Sequence, residues 1–300
     1  MLLSIITATY NRAYCLGNIY DSLKKNKFND EIEWILIDDG SSDNTEELVK
    51  NWLAEDIINI RFYKKKNGGK TSAIYYGFNQ NPKGEYTLVL DSDDYLSDNC
   101  IEIIKQNLLK ISNRYIGIIG LKAYTNGKIV GEKFPTDESS YIDLYFGRNS
   151  INSDKLFVIR TDVYKKSYSL PFEGEKFLPD NVPYIKMNDL GLFKLINQIF
   201  YYGDYMEDGM TKNVFKMAMN NINGYIYEKK LLQEKKMPFK SKVIVSIKYI
   251  YYSILGKRNF SKIVNDSKQK VLTSLLYLPV YILLYNRRKR MQRLLNADNI

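Results

Sequence analysis

With 300 residues, the chain is long enough for a complete α/β core and a smaller C-terminal appendage. It contains no histidine, which removes imidazole metal ligands, Ser-His and Cys-His nucleophile pairs and histidine general bases together, leaving acid–base chemistry to carboxylates, Lys, Tyr or Cys. Its two cysteines, Cys15 and Cys100, lie far apart without CxxC spacing, which argues against a disulfide framework or a zinc site and fits a reducing cytoplasm; the net charge of +10 gathers toward the C-terminal end, as suits either nucleic acid or an anionic membrane.

Leu2 to Ala8 reads as a first buried strand, since the run lacks the basic leader and long apolar stretch of a signal peptide. Tyr14 to Lys25 has helical spacing. Glu33 to Ile37 is a second apolar run, ending in the loop DDGSSDNT, and Thr45 to Ala54 resumes a helical period with Asp43, Asn44 or Thr45 as its cap. Ile58 to Tyr63 is a third strand, followed by the glycine-bearing KKKNGGK. Thr71 to Phe78 reads as a helix, and Tyr86 to Leu90 as a fourth strand that stops at DSDDY. This alternation predicts parallel strands joined by crossover helices, with ligands bound beyond the carboxyl ends of the strands.

After Asp98 the pattern loosens. A helix is expected near Asn99 to Lys110, strands around Tyr115 to Tyr124 and Lys155 to Arg160, then the polar stretch FEGEKFLPD and a strand-and-loop section from Phe193 to Asp208 leading into EDGMTKN. Val243 to Leu255 and Val271 to Tyr285 are aliphatic and tyrosine-rich; Pro279 is expected to interrupt the second, which NRRKR follows. Both are short for a membrane span. Helices lying in an anionic membrane interface fit them, as do helices packed on the main domain. Because the aromatics are mixed with aliphatic runs rather than set in a polar basic groove, no nucleic acid partner is expected.

Four strand-end clusters carry candidate chemistry. DSDD, Asp91 to Asp94, crowds carboxylates where a hard divalent cation would relieve their repulsion, although an acidic loop can equally be solvated or a helix cap. In DDGSSD an Asp can accept a hydrogen bond from a base or ribose hydroxyl while also forming an Asx turn. TATYNR offers a tyrosine able to stack on a base, and NGGK combines flexible backbone with a cation suited to diphosphate.

SIITATYNR, EWILIDDGSSDNT, NGGKTSAIYYGF and GEYTLVLDSDDYL resemble, in order and spacing across residues 4 to 96, the successive motifs of the inverting glycosyltransferases of family 2. The resemblance implies an α/β GT-A fold: a Rossmann-like, mainly parallel mixed sheet with flanking helices and a helical C-terminal appendage. It also implies a nucleotide-diphosphate sugar donor, a UDP-sugar first of all, and Mn²⁺ or Mg²⁺. By the same resemblance Thr9 and Tyr10 line the base pocket, Asp39 with Asp38 beside it meets uracil or its equivalent, and Lys70 lies near the base or diphosphate. Asp91 and Ser92 fall on the donor side, with Asp91 at the ribose edge of the metal site and Asp93 as the main protein ligand. Tyr75 or Tyr76 stands where relatives often have Asn, a departure on the donor side.

FEGEKFLPD and YMEDGMTKN look like segments of some bacterial members. Inverting transfer needs a carboxylate to take the acceptor hydroxyl's proton. Asp180 is the first candidate base and Glu175 the second, both also readable as ordinary loop carboxylates; Asp208 and Thr211 either close over the donor phosphates or form a turn. The expected division is a catalytic domain over 1–230, with 1–98 binding the donor and 99–230 the acceptor, and a basic, membrane-associating helical region over 231–300. The expected function is transfer of one sugar to a glycan or lipid-linked acceptor in bacterial capsule or cell-surface polysaccharide synthesis, at the inner face of the cell membrane. An idle membrane-attached partner that binds nucleotide sugar is the alternative. A sugar nucleotidyltransferase fits less well, since its first loop is usually rich in Gly, Arg and Lys. A processive polymerase would carry several long membrane spans and a QxxRW-like segment.

Overall fold

The computed structural model describes residues 1–26, 31–204 and 214–297, with side chains to residue 286. Its strands are β1 (Leu3–Thr9), β2 (Ile32–Asp38), β3 (Ile60–Lys64), β4 (Tyr86–Val89), β5 (Tyr95–Leu96), β6 (Tyr115–Ala123), β7 (Glu138–Ser139), β8 (Lys155–Arg160) and β9 (Leu192–Tyr202). They form one sheet in the order β3-β2-β1-β4-β8-β6-β9-β5, with β7 also paired to β9. The first four neighbours run parallel; β8 enters antiparallel to both β4 and β6, and β6 pairs with β9 in parallel. The sheet is therefore mixed and mainly parallel on its N-terminal side, as expected.

The helices are α1 (Ala13–Asn26), α2 (Thr45–Glu55), α3 (Lys70–Asn79), α4 (Cys100–Leu108), α5 (Tyr141–Phe146), α6 (Thr161–Ser167), α7 (Val182–Met187), α8 (Val214–Asn220), α9 (Ile222–Gln233), α10 (Phe239–Leu255), α11 (Phe260–Asp266) and α12 (Lys270–Ala297). Alternate residues of the central strands face opposite cores, as the two-residue period of a strand requires. Ile5, Trp34 and Leu36 join α1, α2 and α4 through Leu16, Val49, Trp52 and Ile104. Ile6, Ile35 and Ile37 face the other way and join α3, α6 and α7 through Ile74, Phe78, Tyr164 and Ile185. Burial on both faces explains why β2 is buried at every position.

One expectation changes. α12 runs through Pro279 without a break, although proline removes one helix hydrogen bond and costs about 3 kcal/mol in a helix interior. Buried Val280 and Leu284, packed with Tyr249, Ile250 and Ile263 of α10 and α11, hold the helix on both sides of the proline. α9 spans residue 230, and Leu232 and Val245 share a hydrophobic core with residues of β6 and β9.

At the N-terminal end of the sheet, Glu33 is fully buried on β2. It accepts hydrogen bonds from Ser4 Oγ at 2.6 Å, Arg61 Nη1 at 2.7 Å and the Lys83 amide, while the Gly84 amide donates to Ser4 Oγ. Burial alone would raise the Glu33 pKa, but Ser4, Arg61 and Lys83 outweigh it and hold the carboxyl below its ordinary value. A folded pKa below the unfolded one means the stabilisation is present at neutral pH and is lost as pH falls through the folded pKa. Glu33→Ala is expected to lower stability by about 3 kcal/mol, read by urea unfolding at pH 7, because it strands Arg61 and two donors; the deficit relative to the native chain should shrink below the ordinary carboxylate range.

Candidate active site

The carboxyl ends of β1, β2 and β4 carry polar loops because strand pairing ends there and backbone groups need other partners. The loops after β1 and β2 satisfy each other. Asn11 N donates to Ser41 Oγ at 3.0 Å, and Ser42 N donates to Asn11 Oδ1 at 2.8 Å. Asp43, rather than Asn44 or Thr45, caps with its side chain: Oδ1 accepts from Thr45 N at the start of α2, and Oδ2 accepts from Ala13 N at the start of α1.

Beyond these ends lies a cavity of about 670 Å³, large enough for a nucleotide sugar. Thr9, Tyr10, Asp39, Lys70, Asp91, Ser92, Asp93 and Asp180 all line it. Thr9 is 2% exposed, and its Oγ1 is buried with no hydrogen-bond partner among the described residues. Tyr10 is half-exposed at the same rim.

Asp39 is buried and already engaged. Its carboxylate accepts from Gly68 N at 3.0 Å, Gly69 N at 2.7 Å and Lys65 Nζ at 2.7 Å, which folds the NGGK loop over the end of β2. Asp38 lies beneath rather than in the cavity, accepting from Ser41 N at 2.7 Å, with Lys64 Nζ 3.8 Å away. It shapes the turn on which Asp39 stands. Tyr76 of α3 is partly buried against the core and meets Tyr63 edge-on.

Lys70 begins α3 and joins the two halves of the site. Its Nζ lies 2.8 Å from Asp91 and 3.1 Å from Asp180. Burial pushes the Lys70 pKa down, but Asp180 and Asp91 overcome that and hold the ammonium well above its ordinary value. Burial pushes the Asp180 carboxyl up, Lys70 pulls it back and Asp91 repels, leaving it above the ordinary Asp value. Asp94 is buried against Lys122 Nζ at 3.1 Å; burial raises its carboxyl to about 7 despite that cation. Asp93 lines the cavity and accepts no hydrogen bond from the described residues.

The segment carrying Asp180 is strapped down at several points. Thr71 Oγ1 accepts from Leu178 N at 3.0 Å, Asn221 Oδ1 accepts from Lys176 N and Phe177 N, and Asn181 Nδ2 donates to Glu228 Oε1. Glu175, the second candidate base, belongs to these straps and does not line the cavity: its carboxylate accepts from Asn223 N and Gly224 N and so caps α9. Asp208 and Thr211 lie outside the described residues.

Two groups escaped the sequence reading. Lys122 had a legible signal, as the one charged residue in the buried strand YIGIIGLKA. The aromatic wall of Tyr145, Phe157, Tyr168 and Tyr184 had none, because its members come from α5, β8, the end of α6 and α7. Tyr184 stacks on Phe157 with centroids 4.1 Å apart and shares a 3.0 Å hydroxyl contact with Tyr164.

A mixed, mainly parallel sheet between helices, with polar loops converging at its strand ends, is a GT-A architecture. The fold agrees with S. aureus TarS 1-349 in complex with UDP-GlcNAc (TM-score 0.61, 18% identity, 93% of this chain and 79% of that one). It also agrees with the mannosyltransferase PcManGT of Pyrobaculum calidifontis in complex with GDP-Man and Mn²⁺ (TM-score 0.55, 14% identity, 96% and 82%). Residues 4–167 match the family model described as glycosyl transferase family 2, and the chain belongs to that family. An uncharacterized glycosyltransferase of Mycoplasma genitalium, MG060, is 42% identical over 124 residues, a stretch that spans 40% of this chain and only 40% of that protein.

Gly69 tests how tightly the NGGK loop is built. Its φ of +88° lies where side chains are strained, and a Cβ there would stand 2.1 Å from the Lys176 carbonyl oxygen. Gly69→Ala is expected to destabilise the chain by about 1–3 kcal/mol, visible as a lower melting temperature, and to detach the NGGK loop from Asp39.

Proposed function

We propose that the chain transfers a single sugar, with inversion, from a nucleotide-diphosphate donor to a hydroxyl of a glycan or lipid-linked acceptor. The observation that carries this reading is the Asp91–Lys70–Asp180 bridge, which ties the DSDD loop to a carboxylate facing the aromatic wall in one cavity. A UDP-sugar is the first donor to consider, in keeping with the UDP-GlcNAc held by TarS. The acceptor belongs to bacterial surface-polysaccharide synthesis, and the two buried free thiols fit work on the cytoplasmic side.

The nucleotide would sit by Thr9, Tyr10 and Asp39, and the diphosphate by Lys70. Asp93 and Asp91 are hard oxygen donors suited to Mn²⁺ or Mg²⁺. The described residues offer no three-ligand cluster, so phosphate oxygens and water would complete the shell, as is usual for Mg²⁺. Such an ion supplies neutralisation of charge on the leaving diphosphate. PcManGT is in complex with GDP-Man and Mn²⁺, which supports the same class of ion here.

Asp180 takes the acceptor hydroxyl's proton as that oxygen attacks the anomeric carbon. The bond to the diphosphate oxygen breaks on the opposite face, and its electron pair leaves with the diphosphate. A single displacement inverts the centre. Burial raises the Asp180 carboxyl against the pull of Lys70, which makes it a stronger base than an ordinary Asp. The aromatic wall offers faces on which an acceptor sugar can stack.

Purified protein given a panel of nucleotide sugars with Mn²⁺ or Mg²⁺ should release nucleoside diphosphate from one of them. Asp180→Asn should lower turnover about 10²–10⁴-fold with donor affinity retained, whereas Asp93→Ala should lose metal-dependent donor binding as well. Turnover unchanged in both variants overturns the roles given to Asp180 and Asp93, whereas binding of no donor at all overturns the reading and favours an idle partner.

Lys70→Met gives a second test. Removing a cation beside a carboxylate disfavours its charged form, so the Asp180 pKa rises further. The acid limb of kcat/KM should move to higher pH, and an unmoved limb would separate Asp180 from the role of base.

A further inference from the structure

α12 carries two apolar faces, and the structure accounts for one. Thr273, Val280 and Leu284 turn inward, buried, with Val280 and Leu284 packed against α10 and α11. Val271, Leu275, Leu278, Ile282 and Tyr285 turn outward and are 49% to 76% exposed. Their spacing of four, three, four and three residues places them in one stripe along the helix, opposite the buried face. Phe260 of α11 is also exposed, and its ring meets Tyr277, which packs on the inward side of α12, at 4.8 Å. A run of large exposed side chains on this scale marks an interaction surface.

Charge says what covers it. Residues 267–297 contain seven cations (Lys268, Lys270, Arg287, Arg288, Lys289, Arg290 and Arg293) and no Asp or Glu. They bracket the apolar stripe at both ends. The stripe from 271 to 285 is about 22 Å long at the helical rise, short of the ~30 Å hydrocarbon core. No described helix is long and apolar enough to cross a membrane. The same spacing could pair two copies of the chain as a coiled-coil seam. Two such seams would, however, bring the cationic flanks together with no carboxylate in the segment to oppose them. We infer that α12 lies flat in the interface of an anionic membrane, with Leu275, Leu278 and Ile282 in the acyl boundary and its basic flanks on lipid phosphates.

The test needs neither donor nor acceptor, so it stands or falls apart from the transferase reading. The full chain is mixed with vesicles of phosphatidylcholine containing 30% phosphatidylglycerol, or of phosphatidylcholine alone, and sedimented. Binding is expected to the anionic vesicles only, to fall at least tenfold at high salt, and to fall at least tenfold in Leu275→Glu/Ile282→Glu with an unchanged melting temperature. If that pair unfolds the chain, Leu278→Trp serves instead. The native Trp34 and Trp52 are buried, so the new indole should report insertion by a blue shift and by quenching with brominated lipid. Failure of the native chain to bind anionic vesicles, an unshifted indole, or a dimer in sedimentation equilibrium that Leu275→Glu/Ile282→Glu dissociates would each overturn the inference.

Discussion

Asp91, Asp93, Asp94 and Asp180 face one cavity, and like charges at close range in a partly desolvated space repel unless cations stand between them. The architecture answers that constraint with lysines from other elements. Lys122 on β6 reaches Asp94, and Lys70 at the start of α3 holds Asp91 and Asp180 together. Asp93 has no such partner among the described residues, and it is the group on which a divalent cation reading rests. The pattern of balanced and unbalanced charge thus points to where a ligand's own charge belongs.

Placing Asp180 opposite Asp91 requires a long, irregular segment to hold one conformation. Thr71 and Asn221 achieve this with hydrogen bonds to the backbone of residues 176–178, so the start of α3 and the turn before α9 both grip the same strap. Gly69 completes the arrangement by letting the NGGK loop pass directly against Lys176. The NGGK loop and the segment carrying Asp180 are in contact, and a change in one is transmitted to the other through backbone rather than through a flexible side chain.

The C-terminal helices divide between two roles. α9 and α10 contribute Leu232 and Val245 to the core under the sheet, which explains why an aliphatic, tyrosine-rich stretch is present so far along the chain. α12 docks on that platform by one face and leaves the other uncovered. The packed-helix and interfacial-helix readings are therefore compatible, because a helix with two apolar faces can satisfy both.

Strand-end motifs within residues 4 to 96 were legible because each is local: an apolar run of period two or buried on both faces, then a loop whose residue types match its task. The strands and helices there follow the sequence pattern within a few residues, and Thr9, Tyr10, Asp39, Lys70, Asp91, Ser92 and Asp93 share one cavity because parallel strands end on the same side. What the tertiary structure decided depends on long-range contact. Asp180 and Glu175 look equivalent in FEGEKFLPD, and only the position of α9 turns Glu175 into a cap while Asp180 meets Lys70. Asp38 and Asp39 are likewise adjacent, yet successive side chains at a strand end point to opposite sides, so one shapes a turn and the other meets the cavity rim. The aromatic wall and the unbroken course of α12 through Pro279 arise from packing between distant segments, whose energy no local pattern encodes.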